Sequence, residues 1–334
     1  MIADGAVLFA SPFILTSQGL KGWCYFKSAH FSPSKFQVIN YMSDLPGDRR
    51  RNRIYASKCH YMSDLPGDRR RNRIYASKCP LPAPSPSSSK PFYLFVHGGA
   101  WGTGHPLFYK TFCLVLNERG YDAGVIGYNL GPFNSATGQA EELEMGIRSL
   151  REMGRDVVVV GHSSGAHVGI IASLMSRYCW KGTEEGWGRV KGFVGLSGVY
   201  DIPMHYDYEA RRGLEQLSPM QPANGWTRLG MRRNAVKEIW DGIIARGGKG
   251  EGRFDIVLVH GMVDTTVPFT QSKILGDYAR GMDIGGGKVT EVYGDWDHQD
   301  PALMFCFGGE GVEVVMEVME GRRREEVIVV GSKM

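Results

Sequence analysis

Asp156-Val157-Val158-Val159-Val160-Gly161-His162-Ser163-Ser164-Gly165-Ala166 is the stretch that decides the fold. Four valines in a row behind an aspartate predict a strand buried on both faces, since side chains pointing alternately up and down all have to meet an apolar layer. From Ala166 to Arg177 the apolar residues return at helical spacing. Ser163 therefore falls on a sharp strand-to-helix turn, in the pattern Gly-x-Ser-x-Gly. Gly161 and Gly165 allow the strand and helix backbones to approach closely, and the turn lifts the serine hydroxyl above the sheet. The helix start offers unpaired N–H groups and a partial positive charge where an oxyanion would form. Alone the pattern is weak, because glycine–serine turns are common. Its weight comes from its surroundings.

Working outward, strands are expected at residues 92–96, 121–128, 156–160, 190–197, 254–260 and 288–293. Helices are expected at about 106–118, 138–153, 166–177, 268–282 and 301–319. A longer polar section, 201–250, interrupts the rhythm and holds one helix near 232–246. This alternation predicts an α/β chain whose mostly parallel central sheet is covered by helices on both faces. In such sheets catalytic groups gather at the carboxyl ends of the strands. Every candidate described next lies at one of those ends.

His97-Gly98-Gly99-Ala100-Trp101 follows the strand at 92–96. Glycines there let backbone N–H groups turn towards a ligand, as an oxyanion hole requires, and the expected donors are the N–H groups of Gly99, Ala100 and Ser164. A serine also needs a base, and the base needs an orienting acid. Two histidines beyond the elbow helix lie in suitable loops, His205 and His298; His260 closes a strand and is expected to pack in the sheet. His298, in the loop after residues 288–293, is favoured, because the chain order Ser…Asp…His ends there. Asp264, just past the strand at 254–260, is the favoured acid. Its bland alternative is a helix N-cap. Asp295 and Asp297 are local rivals, set back because neighbours in sequence point awkwardly at a histidine Nδ1. Trp101, His205 and Tyr206 are the candidate substrate contacts, against plainer readings as a packing residue and a solvated loop. Met204, Met220 and Met231 are candidates to line an acyl pocket.

Taken together, His97-Gly98-Gly99-Ala100-Trp101, the elbow through His167 and the Asp264/His298 pair resemble an α/β-hydrolase serine esterase. More narrowly, with Leu196-Ser197-Gly198-Val199-Tyr200-Asp201 and Leu217-Ser218-Pro219, they resemble the prenylcysteine methylesterase-like and kynurenine formamidase-like branch. The likeness runs from about residue 68 to 305. It implies the α/β-hydrolase fold, Ser163 as nucleophile, and a lipophilic carboxylic ester or an aryl formamide as substrate. It implies no metal and no organic cofactor. Two other classes fit the same residues. A ligand-binding protein can sit on a hydrolase scaffold, although such proteins usually lack a triad member. Acyl transfer to an acceptor other than water shares the whole chemistry.

With 334 residues, 43% hydrophobic and 22% charged, the composition is that of a globular protein. The net charge of +4 owes much to arginine clusters at 49–53, 69–73 and 322–324. With no recognition module beside them, they are expected to be solvated surface rather than a nucleic-acid footprint. Six scattered cysteines without metal-ligand spacing predict a reduced, cytoplasmic chain, with an endomembrane-associated one as the alternative. The apolar segment 6–15 is short, holds Pro12 and follows Asp4, so it has neither the length of a membrane span nor the flank of a secretory signal. Membrane association thus has no support from hydropathy. Residues 41–59 recur letter for letter at 61–79. Only one copy can fill a single slot in a fold, so the second is expected to supply an edge strand near 72–77 and the first to be a loop-like insertion. The expected organisation is an extension over 1–60, a hydrolase domain over 61–320 with a lid-like insertion at 201–250, and a tail over 321–334.

Overall fold

A computed structural model describes residues 36–40, 73–77, 90–179 and 187–331. The first copy of the repeat, the apolar segment at 6–15, the arginine cluster at 49–53 and residues 69–72 of the next one lie outside these residues. Among the described residues, nine strands form one sheet in the order β1-β2-β4-β3-β5-β6-β7-β8-β9. They are β1 (Phe36–Asn40), β2 (Arg73–Ser77), β3 (Phe92–Val96), β4 (Ala123–Ile126), β5 (Val157–His162), β6 (Val190–Leu196), β7 (Asp255–Gly261), β8 (Val289–Gly294) and β9 (Val327–Val330). From β4 to β9 every neighbouring pair is parallel. Only β2 runs against the rest, antiparallel to both β1 and β4.

The four-valine run does what its composition requires. Val157 and Val159 point into one apolar layer, Val158 and Val160 into the other, and all four are fully buried. In β3, Phe92, Leu94 and Val96 share the first layer, while Tyr93 and Phe95 share the second. The helices that close the first layer include α2 (Ala136–Glu152), α3 (Ser164–Tyr178), α7 (Val236–Ala245) and α8 (Thr270–Arg280). On the second face lie α1 (Lys110–Asn117), α9 (Asp300–Phe307) and α10 (Glu310–Met319).

The structure departs from the expected elements in instructive places. β2 is not an edge strand, because β1 flanks it. The sheet thereby takes in residues ahead of the expected 61–320 unit, and β9 takes in residues beyond it. β9 is parallel to β8 and alternates: Val327 and Val329 are exposed, Ile328 and Val330 buried. The stretch 106–118 opens as a 3₁₀ turn (Pro106–Tyr109) before α1. The expected helix at 301–319 breaks into α9 and α10 at Gly308-Gly309, where Gly308 takes φ +81°, a left-handed conformation natural to glycine. Between β6 and β7 the chain carries α4 (Ile202–Arg211), α5 (Met220–Asn224), α6 (Arg228–Arg233) and α7. The helix expected near 232–246 is thus divided at Asn234. Asp201 caps α4 by accepting from the Met204 N–H, which stabilises that helix start by about 1 kcal/mol. Among the described residues no helix is long and apolar enough to cross a membrane.

Candidate active site

The loops after β3, β5, β7 and β8 open at the same end of the sheet, and each brings one part of the site. Ser163 joins β5 to α3 with φ +55° and ψ −124°, a conformation costing a non-glycine residue about 1–3 kcal/mol. Its N–H donates to the Leu196 carbonyl at 2.9 Å, which ties the turn to β6. The flanking glycines are sterically required. A Cβ on Gly161 would lie 2.5 Å from Ala166 Cα, and one on Gly165 would lie 2.3 Å from the His97 carbonyl oxygen.

His298 reaches this serine from the loop after β8. Its Nε2 lies 3.0 Å from Ser163 Oγ, and its Nδ1 lies 2.8 Å from Asp264 Oδ2. A carboxylate only accepts, so Nδ1 carries the proton and the bare Nε2 accepts from the serine hydroxyl. Asp264 is fixed in turn by the Thr266 and Val267 N–H groups, each donating to its Oδ1 at 2.8 Å. Those bonds cap a tight turn. The helix that follows, α8, starts only at Thr270 with Phe269 at its N-cap, so the N-cap alternative does not apply. Burial works to raise the Asp264 carboxyl, but hydrogen bonds from His260 and His298 outweigh it and hold the group well below the usual carboxylate range. Asp295 and Asp297 are exposed. Asp297 accepts from the His298 backbone N–H at 2.7 Å, a loop-shaping role rather than a contact with the ring.

After β3, Gly99, Ala100 and Trp101 all take positive φ, +127°, +49° and +60°. The Gly99 carbonyl accepts from the N–H groups of Gly102 and Thr103 and from the Thr103 hydroxyl, which closes the loop. Among the described residues the N–H groups of Gly99, Ala100 and Ser164 donate to no protein acceptor. Trp101 N–H, by contrast, is committed to Ser164 Oγ at 3.1 Å.

The three residues put forward as substrate contacts are arranged differently. The Trp101 ring is 2% exposed and its indole N–H donates to His167 Nδ1 at 3.2 Å, so it packs beneath its loop. His205 is also buried, with Nε2 3.4 Å from Glu209. Tyr206 is half-buried and accepts from Gln221 Nε2 at 2.8 Å. Met220 and Met231 belong to the core below the insertion. A cavity of about 650 Å³ lies elsewhere, between α2, α3 and α5 to α7, and none of Ser163, Asp264 and His298 lines it.

Three further histidines stand behind the reactive groups. His260, wholly buried in β7, places Nε2 2.9 Å from the Val267 carbonyl and 3.3 Å from Asp264 Oδ2, with Nδ1 2.7 Å from Ser272 Oγ. His162 donates from Nε2 to the backbone carbonyl of His298 at 3.1 Å, its ring 5.1 Å from that of His298. Burial pushes the His162 imidazole down to about 3 and that of His167 down to about 4, so both are neutral. The sequence flagged His260 only as a strand residue. The spacing His260…Asp264 across one tight turn was the available signal.

No family model matches the chain. It is 25% identical over 225 residues to the isoprenylcysteine alpha-carbonyl methylesterase of Arabidopsis thaliana, covering 63% of this chain and 51% of that one. It is 28% identical over 201 residues to a probable isoprenylcysteine alpha-carbonyl methylesterase of Oryza sativa, covering 56% and 47%. The chain thus spans about half the length of the curated relatives it matches. Among solved structures, esterase B of Lactobacillus rhamnosis superposes with a TM-score of 0.57 over 96% of this chain and 95% of that one, at 16% identity. Carboxyl esterase 2 of Tuber melanosporum superposes with a TM-score of 0.54 over 75% and 81%, at 18% identity. The fold is that of an α/β-hydrolase. Sequence similarity to the methylesterases agrees with the branch that the motifs resemble.

Proposed function

We propose that this chain is a serine hydrolase of carboxylic esters, working through an acyl-enzyme. Ser163 is the nucleophile, His298 the general base and then acid, and Asp264 the group that holds the His298 tautomer and stabilises its imidazolium. As Ser163 Oγ attacks the ester carbonyl, its proton passes to His298 Nε2. The tetrahedral oxyanion lies among the N–H groups of Gly99, Ala100 and Ser164, each worth about 3 kcal/mol in the transition state. Collapse expels the alcohol, which takes the proton from His298. Water then repeats the sequence on the acyl-enzyme and releases the acid. The observation that carries this reading is the 3.0 Å and 2.8 Å contacts through the two nitrogens of one imidazole.

The methylesterase relatives favour a lipophilic substrate with a small alcohol leaving group, of which a prenylcysteine methyl ester is the leading example. The test is a panel of p-nitrophenyl esters of increasing acyl length, a prenylcysteine methyl ester and an aryl formamide. Hydrolysis of the methyl ester with kcat/KM above that of the formamide supports the reading. Turnover of the formamide alone would replace the substrate class, and turnover of none would remove the hydrolase assignment.

A further inference from the structure

Ala100 and Trp101 are consecutive non-glycine residues in the left-handed region, at φ +49° and +60°. Such a pair does not persist unless its surroundings over-determine it. Trp101 is where they do so. Its N–H donates to Ser164 Oγ at 3.1 Å, and its carbonyl accepts from Gly131 N–H at 2.8 Å and Gln139 Nε2 at 2.9 Å. The remaining anchor is the indole, which donates to His167 Nδ1 at 3.2 Å.

His167 lies on α3 one turn beyond Ser164 and is completely buried. Its other nitrogen, Nε2, is 2.7 Å from the backbone carbonyl of Asn234, the residue that divides α6 from α7. A carbonyl only accepts and an indole N–H only donates, so the two partners fix the tautomer, Nε2 protonated and Nδ1 bare. Asn234 is itself held on two sides. Its Oδ1 accepts from the Thr137 hydroxyl at 2.7 Å, and its Nδ2 donates to the Asn224 carbonyl at 2.8 Å. One hydrogen-bonded chain therefore runs from the α5–α7 insertion, through the helix that starts at the elbow, to the glycine loop after β3.

We propose that His167 is a positioning residue, which fixes the oxyanion loop by bridging the Trp101 indole to the Asn234 carbonyl of the insertion. The proposal rests on the reading of Gly99, Ala100 and Ser164 as oxyanion donors. Without the bridge the loop keeps the Trp101 N–H bond to Ser164 Oγ but loses the bond that its Trp101 side chain makes to α3, and its donors are no longer held at hydrogen-bond distance from the developing charge. A histidine that merely fills the core would affect stability and leave turnover alone.

Conservative variants separate the two roles. Trp101→Phe removes the indole donor. His167→Gln keeps a donor near the Nε2 position but withdraws the acceptor at Nδ1. His167→Asn keeps that acceptor and abandons Asn234. On a p-nitrophenyl ester, well below each variant's Tm, Trp101→Phe and His167→Gln should each lower kcat about 10- to 100-fold with little change in KM. His167→Asn should recover part of that loss, and the Trp101→Phe/His167→Gln double variant should be no slower than the worse single one. Retained kcat in an active wild-type background, or additive losses in the double variant, would overturn the proposal while leaving the hydrolase reading intact. A wild type that neither hydrolyses esters nor reacts with a fluorophosphonate would overturn both. Should the variants not fold, the wild-type protein still decides the matter: ¹⁵N NMR of the His167 ring should find Nε2 protonated, and an Nδ1-protonated ring would refute the bridge.

Discussion

Two buried histidines make the stability of this protein depend on pH in a window that can be isolated. His162 and His167 are held neutral by burial, pushed from an ordinary 6.5 down to about 3 and about 4. In the unfolded chain both return to the ordinary value, so below pH 6.5 the unfolded state binds protons that the folded state refuses. Stability is therefore complete above pH 6.5 and falls as the pH falls, through both groups down to about 4 and through His162 alone to about 3. Each contributes up to about 1.4 kcal/mol per pH unit, so together they remove several kcal/mol by pH 4.5, a large part of a typical domain's 5–15 kcal/mol. Asp264, whose carboxyl is held low, begins to lose its contribution only as the pH falls through its ordinary value of 3.8, below the lowest pH of the series that follows. Urea midpoints at constant ionic strength at pH 7.5, 6.5, 5.5 and 4.5 measure the slope. Wild type should lose stability steadily below pH 6.5, and His162→Gln should lose it about half as steeply. An unchanged slope in that variant would refute the argument from burial.

Asp264→Asn should fold, since an amide oxygen can still accept from Thr266 and Val267, yet lose about 10⁴-fold in kcat because an amide N–H opposite Nδ1 selects the wrong histidine tautomer. Steady-state kinetics beside a far-UV CD spectrum check both halves. Gly165→Ala would set a methyl 2.3 Å from the His97 carbonyl oxygen and 2.5 Å from that of Val96, both backbone atoms. It should destabilise by more than about 4 kcal/mol, read as a collapse in Tm or in soluble yield.

Much of this was legible in the sequence because buried strands and tight turns leave local traces. The run of valines announced a doubly covered strand, and each site loop followed an apolar run closely enough to be assigned to a strand end. Helix breaks were harder to see. Gly308-Gly309 divides an apolar stretch whose periodicity continues on both sides, and Asn234 divides another with an ordinary polar residue. β1 was missed because Phe36-Gln37-Val38-Ile39-Asn40 is short and abuts the duplicated segment. The supporting histidines were hidden for a different reason. His167 takes its meaning from a backbone carbonyl 67 residues away and an indole 66 residues away, a pairing that no local pattern in the chain marks. His162 likewise supports a loop 136 residues downstream, by a ring N–H donated to a backbone carbonyl. Residue types near Ser163 can be read from the chain, while the bonds that hold them have to be measured in space.

The measurement that bears most directly on the account is the site of covalent modification by a fluorophosphonate, located by peptide mass spectrometry on the intact 334-residue chain. The account predicts one adduct per chain, on Ser163, abolished by Ser163→Ala and slowed severely by His298→Ala. An adduct on another serine, or labelling that survives Ser163→Ala, would contradict it.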